Sequence, residues 1–210
     1  MNDFADFLTR QLKSPLPGWS SQSSMSPFSS NGFVDRNLPV TPKKSAVLIL
    51  FYPDSSNNIR LVYTLRTSFL KKHSGQISFP GGRADGNETP IQTALRETHE
   101  EIGINPNDIQ IVGNLSKLDV YHSNSRVQPV VGFMEFEPTF KKNPSEVAEI
   151  ISYPLSHLLD ASSKKFTTMT LGSEIYTVPY YHIHKTPLWG ATAMITAEIL
   201  ELLKEWNGEV

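Results

Sequence analysis

The chain contains no cysteine. That excludes disulfide staples, thiolate zinc sites and a cysteine nucleophile, and it fits a reducing compartment. There is no excess of either charge: 19 Lys and Arg face 21 Asp and Glu, a formal net charge of −2. A broadly basic nucleic-acid binder is therefore excluded. No run approaches 18 apolar residues, so no helix is expected to span a membrane. Residues 1–13 carry Asp3 and Asp6 and lack the continuous apolar stretch of a secretory signal. Asn207-Gly208-Glu209-Val210 matches no endoplasmic-reticulum or peroxisomal address. A G-x-S-x-G elbow and a Gly-Lys-Ser/Thr phosphate loop are both missing. These absences leave a soluble cytoplasmic protein as the expectation, with neither membrane nor nucleic acid as a partner. What remains is 210 residues, 39% of them hydrophobic and 19% charged, enough for the core of one ordinary domain or a domain with an appendage.

Phe4, Phe7, Leu8 and Leu12 recur at helical spacing, which predicts a short amphipathic helix over residues 3–13. Pro15 and Pro17 end it. Residues 20–30 hold seven serines, and five prolines fall between 15 and 42. Residues 1–44 thus read as a helix and a Ser/Pro-rich arm, and residues 45–210 as the domain proper. Within it, 46–52 and 59–66 predict a hairpin, 76–79 a short strand, and 90–102 a helix. Thr89 and Gln92 form a capping box around Pro90, and Gly103 is the stop. Strands follow at 109–119, 126–136 and 146–153, then a short helix near 156–159. A second hairpin spans 166–171 and 174–181 with Gly172-Ser173 at its turn, and a last helix runs over 190–206. Strands and helices mix without strict alternation, so the fold class is α+β with a mixed sheet.

The informative stretch is Gly82 to Ile104, GRADGNETPIQTALRETHEEIGI. On a helix, Ile91, Ala94, Leu95, Thr98 and Ile102 share one face, and Glu97, Glu100 and Glu101 gather on the opposite side within an arc of roughly 100°. Like charges at this spacing destabilise a helix by about 0.2–0.5 kcal/mol per pair. No lysine offsets them; only Arg96 lies nearby. Hard oxygen ligands without histidine or cysteine suit Mg²⁺ or Mn²⁺, while a plain solvated acidic face is the competing reading. Pro80-Gly81-Gly82 precedes the helix, and glycine there lets the backbone approach a metal or phosphate.

This segment resembles the Nudix box, G-x5-E-x7-R-E-U-x-E-E-x-G-U with U a bulky apolar residue, through Gly82, Glu88, Arg96, Glu97, Glu100, Glu101, Gly103 and Ile104. Thr98 departs at the first U position, where its methyl can still face the core. The resemblance implies an α/β/α sandwich that hydrolyses a nucleoside diphosphate linked to another group. It implies that Glu97, Glu100 and Glu101, with the carbonyl of Gly81, hold divalent metal, and that Glu88 and Arg96 fix the loop against the helix. Together with Gly82 and Gly103, these two are the structural residues of the box.

A second resemblance lies upstream. Leu61-Val62-Tyr63-Thr64-Leu65-Arg66, then Leu70, then His73 through Gly82, resembles the extra signature of coenzyme A pyrophosphatases, with Thr67 in place of a serine and Tyr63 in place of a leucine. Pro129–Gly132, Asn143–Val147 and Leu188–Ala193 add to it. The implied reaction splits coenzyme A, or an acyl or oxidised form, into 3′,5′-ADP and 4′-phosphopantetheine. Arg66, His73 and Gln76 are then candidates for substrate contact, with Lys71 and Lys72 more consistent with a solvated loop. Glu146, past the box, is a candidate additional metal ligand or water-orienting base, and so joins the three box glutamates as a catalytic candidate. The competing readings are a Nudix enzyme acting on ADP-ribose or another nucleoside diphosphate, and a non-catalytic nucleotide-binding regulator that would have lost box carboxylates. The arm could wrap its own domain or reach a neighbour in a homodimer.

Overall fold

The computed structural model describes residues 2–29, 32–33, 41–68, 75–171 and 173–206. Two sheets carry the architecture. The larger is built on β3 (Lys43–Pro53), β4 (Ile59–Arg66), β7 (Gln110–Asn114), β9 (Ser125–Phe133) and β10 (Val147–Pro154), following the two short strands β1 (Phe28–Ser29) and β2 (Gly32–Phe33). Its order is β10-β4-β3-β9-β7, with β5 (Ile77–Ser78) on β4, β6 (Gly81–Arg83) on β3 and β8 (Leu118–Val120) on β9. The β3–β9 pair is parallel and the others are antiparallel, so the sheet is mixed. A smaller sheet runs β11-β12-β1-β2, from β11 (Lys164–Leu171) and β12 (Glu174–Tyr181), with β13 (Leu188–Trp189) on β12.

The layers follow from alternation along β3. Ala46, Leu48, Leu50 and Tyr52 point to one side, where Ala94 and Ile102 of the helix α3 (Pro90–Ile102) cover them. Ile49 and Phe51 point to the other, against α1 (Asn2–Gln11) and α5 (Gly190–Leu203). A strand buried on both faces reads as a continuous apolar run because it has no solvent side. The result is an α/β/α sandwich of α+β class. Of two shorter helices, α2 (Trp19–Gln22) lies against α5 and α4 (Leu155–Leu159) against β10 and β4.

Helix α3 forms where its signals predict. Thr89 accepts from the Gln92 amide while the Gln92 side chain accepts from the Thr89 amide, and Pro90 opens the first turn. Gly103 ends it with φ 75°, a left-handed conformation that disfavours any side chain. The packing face differs from the predicted one in two places. Ile91 is exposed, and Glu101 is buried with Thr93, Ala94, Thr98 and Ile102. The Thr98 hydroxyl donates to the Ala94 carbonyl at 2.7 Å, so its polar atom is satisfied within the helix and its methyl is left for the core.

Three boundaries also differ. The strand expected over 109–119 breaks into β7 and β8, because the Ser116 amide turns away to Glu198 on α5. The strand expected to reach 136 stops at Phe133; the Met134 amide still bonds Phe51, but Phe136 is exposed. The last helix stops at Leu203, and it is buried nearly all round rather than along a stripe.

The N-terminal helix shares the main core. Phe4 is 1% exposed, with its ring edge-on to Phe51 at 5.3 Å and to Trp206 at 5.4 Å. The arm is tied down by the buried Glu198 carboxylate, which accepts from the Gly18 amide (3.1 Å), the Gln22 side chain (2.8 Å) and the Ser116 amide (3.2 Å). Phe4→Ala is expected to lower the unfolding free energy by about 3–5 kcal/mol, the range for truncating a buried aromatic. Urea denaturation checks this, and a loss within error of zero would mean that α1 is not part of the cooperative core.

Candidate active site

Three segments meet along the C-terminal half of α3. The loop after β5 is held by the Leu48 amide donating to the Pro80 carbonyl at 2.8 Å, which lays β6 along β3. Helix α3 crosses above β6. At Gly82 the contact is so close that a Cβ would lie 2.4 Å from the Glu97 carboxyl carbon. A side chain at position 82 would therefore displace Glu97. The third segment is the turn before β10, which carries Glu146.

The carboxylates are held by two arginines. Arg96 is a hub: its Nε donates to Glu88 at 2.7 Å, its Nη1 to Glu97 (2.9 Å) and Glu100 (3.0 Å), and its Nη2 to Glu88 and the Arg83 carbonyl, both at 3.0 Å. The repulsion expected on this face is thus offset by the one cation the helix carries. Glu88 also accepts from the Asp85 amide and the Thr93 hydroxyl, and its pKa is held down at about 2, chiefly by Arg96. Glu101 is 1% exposed and accepts from Arg66 Nη1 at 3.2 Å and the Gly81 amide at 3.3 Å.

Burial is the largest influence on both inner carboxyls. It raises the Glu97 pKa against the pull of Arg96, with Glu100 and Glu146 raising it further. It pushes Glu101 up to about 7 despite Arg66 and the Gly81 amide, with Glu97 and Glu146 adding to the rise. Glu146 therefore acts on both inner carboxyls and belongs to the same cluster. Glu100 stays on the open side, its side chain about half exposed.

Among the described residues, no three acidic or histidine side chains already close on one point as a finished metal cage. Glu97, Glu100 and Glu101 nevertheless offer only carboxylate oxygen, and neighbouring carboxylates raise the proton affinity of both Glu97 and Glu101. That chemistry fits a hard divalent cation, which would relieve the repulsion that two guanidinium groups only partly offset.

Of the other predicted residues, Arg66 lies in this cluster with its guanidinium on Glu101. Gln76 lies on the same loop, and its carbonyl accepts from the Arg66 amide at 3.0 Å. His73, Lys71 and Lys72 fall outside the described residues. Sequence reading singled out no role for Asn143. Its amide donates to the Glu101 carbonyl at 2.8 Å, its side-chain oxygen accepts from Ser145, and its carbonyl accepts from the Glu146 amide at 3.1 Å. It fixes the turn that carries Glu146 to α3. Asn-Pro-Ser is a turn signal that could have located it.

The Glu88 shift has a testable sign. Its folded pKa lies below the ordinary 4.5, so its ion pair stabilises the fold above pH 4.5 and that contribution is lost as pH falls toward about 2. Glu88→Gln is expected to lower the melting temperature near neutral pH, with the gap from wild type closing as pH falls through this window. A gap that stays constant down to pH 2 would show that the charge of Glu88 contributes nothing.

Comparison with known proteins agrees with this geometry. The NUDIX domain model matches residues 42–169. A Nudix hydrolase, NudL, of Photorhabdus laumondii is 34% identical over 142 residues, covering 67% of this chain and 75% of that protein. The mitochondrial coenzyme A diphosphatase NUDT8 of Homo sapiens is 35% identical over 147 residues; the match covers 68% of this chain but only 62% of that protein. Among solved structures, a Nudix hydrolase from M. smegmatis aligns with a TM-score of 0.55 at 18% identity, over 84% of this chain and 92% of that one, which supports the fold. With the box carboxylates gathered over β6 and the domain model spanning well over half its length, the chain belongs to the Nudix family and is a Nudix hydrolase, a pyrophosphohydrolase of a family that uses divalent metal ions.

Proposed function

We propose that this Nudix hydrolase cleaves the diphosphate bond of coenzyme A, or of an acyl or oxidised derivative, with Mg²⁺ or Mn²⁺ as cofactor, in the cytoplasm. The observation that carries the reading is a meeting of two segments at one carboxylate. Arg66 and Gly81, both from the stretch that resembles the coenzyme A pyrophosphatase signature, donate to Glu101 of the Nudix box. The name of the human relative supports the same substrate class.

Glu97, Glu100 and Glu101, with the Gly81 carbonyl, hold the cation in this reading. Bound there, it supplies charge neutralisation for the diphosphate and lowers the pKa of a water molecule. The chain's own residues do the rest. Glu146 orients the attacking water and accepts its proton. The water oxygen bonds to one phosphorus, and the bridging P–O bond breaks toward the other phosphate. With a cation held by these carboxylates, the Arg66 guanidinium would be available to the substrate's phosphates, and His73 and Gln76 are the further candidates for substrate contact. Arg96 stays with Glu88 and keeps the helix fixed to the loop, so the carboxylates do not spread. Positioning and charge stabilisation account for most of the acceleration in such a transfer.

Two measurements test this. Purified protein with Mg²⁺ or Mn²⁺ is expected to release 3′,5′-ADP from coenzyme A faster than AMP from ADP-ribose; the opposite ranking would remove the substrate and leave the hydrolase. Glu100→Gln, on the half-exposed carboxylate, is expected to lower turnover by about a hundredfold or more while the melting temperature holds. Unchanged turnover of every diphosphate tried would sink the metal role of this helix.

A further inference from the structure

We propose that β11 is a self-association edge: two copies of this chain join their small sheets through β11 paired antiparallel with β11 of the second copy, about a two-fold axis at Thr168. β11 ends the small sheet and, among the described residues, pairs with β12 alone. Its eight-residue register with β12 has no bulge. Lys165, Phe166, Thr167, Thr168 and Thr170 are all exposed, so the strand is open on both faces as well as along its edge.

Natural edge strands are blunted by proline, bulges, short length or charge spread along them. This one has charge only at its start, at Lys164 and Lys165. Lys164 is turned inward, donating to the Ser24 carbonyl at 3.0 Å. An apolar patch adjoins the edge. Register places Phe166 opposite Pro179, Thr170 opposite Ile175, and Thr177 between Thr168 and Phe28. Phe28, Phe166 and Ile175 therefore share one sheet face, at 39%, 59% and 66% exposure. Exposed apolar patches of this kind mark interaction surfaces.

The charge pattern selects a second copy as the occupant. A two-fold axis perpendicular to an antiparallel pair passes through a residue facing its own equivalent. With Thr168 there, Phe166 faces Thr170 of the second copy, Thr167 faces Met169, and Lys165 faces position 171. No lysine meets a lysine. Position 171 is itself paired with Glu174 within its hairpin, so Lys165 of each copy approaches Glu174 of the other. Symmetry makes this contact twice, as an isologous interface requires.

The test reads mass rather than catalysis, so it stands apart from the substrate reading. Light scattering of the purified chain is expected to give twice the 23.5 kDa chain mass. Thr168→Lys sets two ammonium groups against each other on the axis; it is expected to give the single-chain mass with turnover unchanged and a melting temperature that no longer depends on protein concentration. Thr168→Cys introduces the only cysteine. Facing Cα atoms in an antiparallel pair lie about 4.5–5.5 Å apart, within disulfide range, so oxidation is expected to link Thr168→Cys chains. Thr170→Cys, which faces position 166, is expected to stay unlinked. A single-chain mass for wild type at every concentration, a dimer that survives Thr168→Lys, or equal linking of both cysteine variants would overturn the proposal.

Discussion

Like charges brought close together with too little counter-charge govern this molecule. Glu97, Glu100, Glu101 and Glu146 come from one helix and one turn, and two of them lie where water reaches poorly. Burial and mutual repulsion raise the proton affinity of Glu97 and carry that of Glu101 to about 7. Arg96 and Arg66 balance part of that charge. Such a cluster is stable only if the elements bearing it cannot move apart.

The surrounding structure supplies that restraint. The capping box and Gly103 set the two ends of α3, and Ala94 and Ile102 fasten its length to β3. Arg96 serves two purposes through one planar group: it grips Glu88 and the Arg83 carbonyl, which locks the loop to the helix, and it spans Glu97 and Glu100. A lysine could not make these contacts together, because its single ammonium lacks the fork of donors. Asn143 plays the matching part for Glu146, joining that turn to the carbonyl of Glu101.

A second buried carboxylate shows a different solution. Glu198 has no cation beside it in its hydrogen-bond set; two backbone amides and a glutamine amide satisfy it. Those donors come from the arm and from the break between β7 and β8. Its contacts are structural, whereas the acidic group at α3 is left with oxygen lone pairs that guanidinium groups only partly satisfy. The contrast separates a carboxylate that completes a fold from a set that can still bind a cation.

Much of the site was legible in the chain itself. The α3 signals act over three or four residues, so Thr89, Pro90, Gln92 and Gly103 mark its ends without outside help, and the glutamate spacing puts the acids on neighbouring turns. The apolar run of 46–52 marked a strand, while the cover on both of its faces comes from the fold. Contacts between distant residues were not legible. That Glu101 is buried, that Arg66 reaches it from 35 positions away, and that Ile91 faces water depend on how α3 is rotated over the sheet. The division of the 109–119 segment depends on Glu198, 82 positions from Ser116. Sequence by itself determined the helix, its caps and the family of its acids, because those rest on short-range geometry. Tertiary structure alone decided which acid is buried and which cation answers it, because helix rotation and chain crossing set desolvation and Coulomb distance.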